Sequence, residues 1–319
     1  MWKERLVLIG DLLLVIMVTF GALIFTSVYP LFCGPNDSST YSRLYYLFDV
    51  VPCLALLVYV LFPISNSSQG QNSDCANAGQ FTATPRSLVL KLMSLLRSRI
   101  GGLLLISLIG LERFVSYWLP AWLAHFTYSA GSARNLQHLN EIVWEVTSLW
   151  VLAYVLSRRG RTFSDIGLTW DTGAVAFALP LFLSDVVLSS ILGPITYWLG
   201  RTFSSPDWSS PNIGALIFGS QAQIVAAPAG LLNGFREELI VRAFLMTVII
   251  GVTKRSWPAV LASVAVQTSY HFYQGVPVAL SYIPLFTLYS VFYAKTRSIL
   301  PVALAHSLQD LCALWFYAL

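Results

Sequence analysis

The chain has 319 residues, of which 56% are apolar and only 11% charged, against roughly 25% charged in an ordinary soluble domain. Apolar runs long enough to cross a bilayer recur throughout and no polar stretch is long enough to fold alone, which excludes a soluble globular protein and indicates one multi-span helical membrane domain. A net charge of +4 and a pI near 8.9 do not argue for nucleic acid, because the basic residues sort into loops as a membrane requires.

In chain order, Met1-Trp2-Lys3-Glu4-Arg5 and the apolar run after it are similar to a signal peptide, but the run exceeds an h-region and more spans follow, so it reads as an uncleaved first span. Candidate spans are 6–29, 44–64, 100–121, 140–157, 173–199, 213–250, 257–274, 277–294 and 299–318. The expected fold is therefore all-α, a polytopic bundle of about nine spans. Residues 1–171 would form N-terminal transmembrane helices and cytoplasmic loops, and 172–319 a transmembrane core. The Ser-, Asn-, Gln- and Gly-rich stretch 65–86 reads as a flexible loop. Residues 87–99, with Lys91, Arg97 and Arg99, read as a cationic lead-in to the third span, with a surface helix as the alternative. Cys33, Cys53, Cys75 and Cys312 have no metal-site spacing, and Cys33 and Cys75 fall on opposite faces, so no disulfide is expected between them.

The positive-inside rule orients the bundle. With the N-terminus in the cytoplasm, one face collects thirteen basic residues, among them Lys3, Arg5, Arg158, Arg159, Lys254 and Lys295. The other face collects Arg43, Arg134 and Arg201, while Arg113, Arg236 and Arg242 lie within spans. The stretch 213–250 would be about 57 Å long as one helix, nearly twice the hydrocarbon thickness. Two spans there would move Lys254, Arg255, Lys295 and Arg297 outside, so a single helix broken at Pro228, Gly230 and Gly234 is preferred.

Within that stretch, Gly234-Phe235-Arg236-Glu237-Glu238-Leu239-Ile240-Val241-Arg242 sets two carboxylates and two guanidiniums in membrane-grade apolar sequence. A charge at bilayer depth costs at least about 2.5–3.5 kcal/mol, so such groups face a protein interior or wet cavity and mark function. Glu238 and Arg242 are four apart, the favourable orientation for a helical pair, and Glu237 is rotated about 100° away. One carboxylate is expected to be held and the other left free. His271 closes the seventh span, and His306 and Asp310 share a face of the last. A free carboxylate can deprotonate water, an imidazole can orient it, and a second His with its neighbour can support an oxyanion. The same groups could instead hold a metal. Neither HExxH nor GxSxG is present, and Gly10-Asp11 has no partner motif. Asp185 is read as a structural partner for Arg236, Glu141 and Glu145 as solvated at headgroup depth, and Glu112 and Arg113 as pointing apart. Trp118, Trp122, Trp198 and Trp257 suit an interfacial belt.

These motifs carry a family resemblance. Glu237-Glu238-x-x-x-Arg242, then His271 followed by an aromatic, Gln and Gly, then His306-x-x-x-Asp310, lie in order at separations of 34 and 35 residues. The arrangement resembles the CPBP family, the CAAX-processing (type II prenyl protease) and bacteriocin-processing intramembrane endopeptidases, over roughly residues 212–315. Phe163-Ser164-Asp165-Ile166-Gly167-Leu168 is similar to a short segment that often precedes the family's core. The resemblance implies Glu237 as general base, His271 positioning the water, Arg242 fixing Glu238, and His306 with Asp310 stabilising the oxyanion. Two positions depart from the pattern. Gln267 stands where an aromatic is usual, a change expected to affect packing more than chemistry. Asp310 stands where Asn is common, and an ionised Asp cannot donate to an oxyanion, so it must be protonated, orient His306 or bind a metal.

The expectation is a glutamate-type endopeptidase without a cofactor, acting on a membrane-associated peptide or protein in a prokaryotic cytoplasmic membrane. Zinc on Glu237, His271 and His306 is the alternative cofactor reading. The lipid bilayer is the expected partner, and nucleic acid is not. Two other classes are a non-catalytic scaffold or regulator and a proton-coupled transporter, since buried Glu, Asp and His also build proton relays.

Overall fold

The computed structural model describes residues 2–33, 38–61, 94, 98, 100–111, 130–203 and 226–318. Every element among them is helical and none is a strand. Backbone polar groups in lipid must find partners within their own segment, and a helix does this without help from water. In chain order the helices are α1 (Trp2–Cys33), α2 (Ser38–Leu61), α3 (Ile100–Leu111), α4 (Ala130–Arg158) and α5 (Thr172–Phe203). There follow α6 (Ala226–Glu237), a π-helical segment (Glu238–Phe244), α7 (Leu245–Thr253), α8 (Trp257–His271), α9 (Val276–Ser281), α10 (Ile283–Thr296) and α11 (Leu300–Ala318). The loop 65–86, Cys75, Glu112, Arg113, Trp118 and Trp122 lie outside the described residues, as do most of 87–99 and the side chain of Cys33.

Four stretches are long and apolar enough to cross a membrane: Glu4–Val28, His138–Arg158, Thr172–Thr202 and Val276–Thr296. They coincide with the expected spans at 6–29, 140–157, 173–199 and 277–294. The described parts of α2 and α3 are apolar but shorter. The run from α6 to α7 carries Arg236, Glu237, Glu238 and Arg242 near its middle, so its composition alone does not mark it as a span. Trp198 and Trp257 are exposed, as residues of an interfacial belt would be.

The expected break at Pro228, Gly230 and Gly234 is not where the helix is irregular. All three lie inside α6, which continues into the π segment and α7. The glycines serve helix packing instead. A Cβ on Gly234 would lie 2.6 Å from Ser307 Oγ and 2.8 Å from Ser307 N, and one on Gly230 would lie 3.4 Å from Asp310 Cβ. Gly230 and Gly234 are four apart, so one face of α6 is stripped of side chains and α11 packs directly against its backbone. Ser307 Oγ closes the contact by donating to Leu231 O at 3.0 Å.

Other small contacts set the frame. Ser27 Oγ of α1 donates to Tyr270 O of α8 at 3.1 Å, and Phe20 stacks on the Tyr270 ring at 4.6 Å. Arg159 makes a two-pronged bond to the buried Asp11, so the Gly10-Asp11 pair is a strut between α1 and the end of α4. The Phe163–Leu168 segment docks on the α10–α11 junction, where Ile299 N donates to Gly167 O at 3.0 Å and the Tyr293 hydroxyl lies 3.0 Å from Ile166 O. Asp165 Oδ2 accepts from both the backbone N–H (2.6 Å) and hydroxyl (2.9 Å) of Thr162. These bonds hold the Asp165 carboxyl below its ordinary value.

Candidate active site

The site is built on an irregular turn. Glu238–Phe244 winds as a π-helix, and all seven residues are buried. Single π turns inside α-helices recur at functional sites. The Tyr293 hydroxyl lies 3.1 Å from Ala243 O within this turn and 2.8 Å from Thr247 Oγ1. The same tyrosine reaches Ile166, so the Phe163–Leu168 segment, the π turn and α10 share one anchor.

Glu238 and Arg242 are fully buried and joined by an ion pair between Glu238 Oε1 and Arg242 Nη1. Arg242 also lies over the rings of Phe286 (5.8 Å) and Tyr289 (5.3 Å), contacts that stabilise a buried cation. Glu238 Oε1 accepts a second bond, 2.6 Å from His306 Nδ1. A carboxylate oxygen only accepts, so Nδ1 carries the proton and Nε2 faces the other way. His306 Nε2 lies 3.8 Å from Asp310 Oδ1, within ion-pair range but beyond hydrogen-bond distance.

Glu237 is not left free, contrary to the expectation from spacing. Its Oε2 accepts from the Tyr270 hydroxyl at 2.7 Å and from Gln267 Nε2 at 3.3 Å, and its Oε1 lies 3.5 Å from Arg236 Nη2. Gln267 therefore touches the carboxylate itself and is more than a packing change. His271 Nδ1 donates to Gln267 O at 2.7 Å, which leaves Nε2 as the acceptor. The His271 ring is seated against Tyr270 (4.7 Å), Phe286 (5.2 Å) and Tyr282 (5.5 Å).

Arg236 does not pair with Asp185. It pairs with Glu145 of α4: Nε lies 2.6 Å from Glu145 Oε2, an ion pair whose angles are off those of a hydrogen bond. Both side chains are buried, so Glu145 is not solvated at headgroup depth. Glu141 is the more exposed of the two and bonds His138 Nδ1 at 2.8 Å. Asp185 is buried and accepts from Ser189 Oγ at 2.8 Å. The Arg236 guanidinium also lies over the Phe20 ring at 4.8 Å and donates through Nη2 to Asn233 Oδ1 at 2.9 Å. With its oxygen facing Arg236, the Asn233 amide nitrogen donates to Asp310 Oδ2 at 3.2 Å. A polar chain thus runs from Glu145 through Arg236, Asn233 and Asp310 to His306, Glu238 and Arg242, with Glu237, Tyr270 and Gln267 branching from Arg236.

The structure brings Glu237, Glu238, Arg242, His271, His306 and Asp310 together. Spacing did not reveal Glu145, Asn233, Tyr270 or a contact for Gln267. Tyr270 had one available signal, its adjacency to His271. Among the described residues no group of three or more His, Cys, Asp or Glu side chains is placed to hold a metal ion. Glu237 Oε2 accepts from Tyr270 and Gln267, and each histidine commits Nδ1 to a protein oxygen, which leaves Nε2 as its second ring position.

No curated protein and no solved structure matches the chain. Residues 220–312, the stretch that holds all six of those side chains, match the family model of the Rce1-like type II CAAX prenyl endopeptidases.

Proposed function

We propose that the chain is an intramembrane endopeptidase that hydrolyses a peptide bond of a membrane-associated substrate with water activated by Glu237. The observation that carries this reading is the burial of Glu237, between Tyr270 and Gln267 of α8, beside a second glutamate that Arg242 and His306 hold. Of two adjacent carboxylates, Glu238 is fixed by a cation on its own helix and a histidine on α11. Glu237 accepts from two neutral donors of α8, with Arg236 at 3.5 Å, and His271 of the same helix is bonded to Gln267 O.

In the proposed reaction Glu237 takes a proton from water that His271 Nε2 orients, and the water oxygen bonds to the scissile carbonyl carbon. The carbonyl oxygen gains the electron pair of its π bond. His306, with Nδ1–H committed to Glu238, turns Nε2 toward that oxygen and in its protonated form donates to it. Asp310 orients His306. Collapse of the tetrahedral intermediate breaks the C–N bond, and the proton held by Glu237 passes to the leaving nitrogen.

The same proposal includes about nine spans, a cytoplasmic N-terminus and residence in a prokaryotic cytoplasmic membrane. The thirteen-to-three sorting of basic residues supports the orientation.

The test is cleavage of a panel of membrane-associated peptides by the reconstituted protein and by Glu237→Gln, each with and without a strong chelator. Cleavage by the wild type, unaffected by chelator and lost in Glu237→Gln, is the expected result. Loss with chelator and recovery with added zinc would replace the metal-free mechanism. Equal cleavage by both proteins would refute Glu237 as the base, and no cleavage across the panel would favour a non-catalytic membrane role.

A further inference from the structure

We infer that Glu145 of α4 is a positioning residue of the active site, one that holds Arg236 away from Glu237. The inference rests on Glu237 as the base and extends the site to a helix outside the 220–312 stretch. Arg236 directly precedes Glu237 in the chain, so a buried cation stands beside the proposed base. Its Nε lies 2.6 Å from Glu145 Oε2, whereas its nearest approach to Glu237 is Nη2 at 3.5 Å from Oε1. The guanidinium is drawn toward α4 and makes only a long contact with the base.

The geometry says what removal of that pull would do. A buried guanidinium that loses its nearest counterion is strongly destabilised unless another carboxylate takes that place. The next carboxylate within reach is Glu237, and a fork of parallel N–H bonds is the preferred way for Arg to hold it. Glu237 Oε2 already accepts from Tyr270 and Gln267. A closer Arg236 would occupy Oε1 as well, leaving fewer lone pairs to take a proton from water.

The other end of the site would be disturbed by the same motion. Arg236 Nη2 fixes the oxygen of Asn233 at 2.9 Å, and this sets Asn233 Nδ2 toward Asp310 Oδ2 at 3.2 Å. If the guanidinium moves toward Glu237, Asn233 loses the bond that orients its amide, and Asp310 loses an oriented donor. Glu145 thereby acts on both the base and the carboxylate beside His306 without touching substrate.

Two measurements test this on the full-length protein. The first is the structure of Glu145→Gln, which does not depend on activity. Arg236 is expected to close from its single 3.5 Å contact to a shorter, two-pronged ion pair with Glu237. An Arg236 that stays in place overturns the inference. The second is steady-state cleavage, normalised to folded protein, by the wild type, Glu145→Gln, Glu145→Asp and Glu237→Gln. Glu145→Gln should lower kcat by about 10- to 100-fold, part of the roughly 10²–10⁴-fold that positioned proton transfer contributes, with KM nearly unchanged. Glu145→Asp, which keeps the charge, should recover most of the loss. A kcat equal to wild type in Glu145→Gln, or no recovery in Glu145→Asp, would also overturn it. Glu237→Gln separates the two claims: if that variant cleaves normally, the assignment of the base has failed, and the structural measurement still decides whether Glu145 restrains Arg236.

Discussion

His306 Nδ1 donates a 2.6 Å hydrogen bond to Glu238 Oε1, the same oxygen that Arg242 holds. One carboxylate oxygen therefore ties the last helix to the π turn and neutralises a guanidinium with no exposed surface. Glu238→Gln should destabilise the protein by about 3–5 kcal/mol, because it leaves Arg242 buried without its counterion. Replacing both partners with apolar residues, Glu238→Leu with Arg242→Met, should recover most of that stability, since a buried pair can be exchanged for packing at little cost. Activity should be lost in the double variant, because Glu238→Leu leaves His306 Nδ1 without an acceptor. Denaturation midpoints and cleavage rates of the three proteins check this.

The contact of Gly234 with Ser307 leaves no room for a methyl group. Gly234→Ala should cost about 1–3 kcal/mol through displacement of α11 and lower cleavage by moving His306 and Asp310 relative to Glu237. Gly251→Ala, where a Cβ would meet nothing within 4 Å, is the control. It should be neutral or stabilise by up to about 1 kcal/mol through helix propensity. Thermal unfolding of both variants in the same detergent measures the difference.

Gly167 has φ +91°, and a Cβ there would run into Arg297 O. Gly167→Ala should cost about 1–3 kcal/mol from backbone strain alone, with steric displacement of the α10–α11 junction added. The bond from Ile299 N to Gly167 O should open, which faster amide exchange at Ile299 would report.

Asp165 supplies a pH dependence outside the membrane. Its folded-state carboxyl sits below the ordinary carboxylate value because Thr162 donates to it twice. A group depressed in this way stabilises the fold above its unfolded value, near pH 3.9, and that stabilisation disappears as pH falls through the folded value. The melting temperature of the wild type should exceed that of Asp165→Asn near neutral pH, and the two should converge in strong acid. A difference that persists in acid would contradict the assignment.

The charged motif was legible because charges in apolar sequence are costly and therefore informative. The pairing of Glu238 with Arg242 followed from helical spacing and survives in a π turn, where residues four apart still meet. The π turn itself left no mark in apolar periodicity. Gly230 and Gly234 suggest a helix break because glycine weakens helices in water; between α6 and α11 they instead permit backbone contact. Arg236 and Asp185 are both intramembrane charges, and nothing local distinguishes Asp185 from Glu145 as the partner of Arg236. That choice depends on α4 packing against α6, which is a tertiary fact. Glu237 was expected to be free for the same reason: its donors Tyr270 and Gln267 are on α8, out of reach of any local pattern.

If Glu237 performs the proposed chemistry while Glu238 holds structure, Glu237→Gln separates the two roles. Glu145 remains to balance Arg236, and Gln can still accept from Tyr270, so stability should fall by no more than about 1 kcal/mol, the scale of one net hydrogen bond. Unfolding and peptide cleavage measured side by side in one reconstituted preparation should show a folded protein without cleavage. Cleavage at the wild-type rate by folded Glu237→Gln would contradict the account.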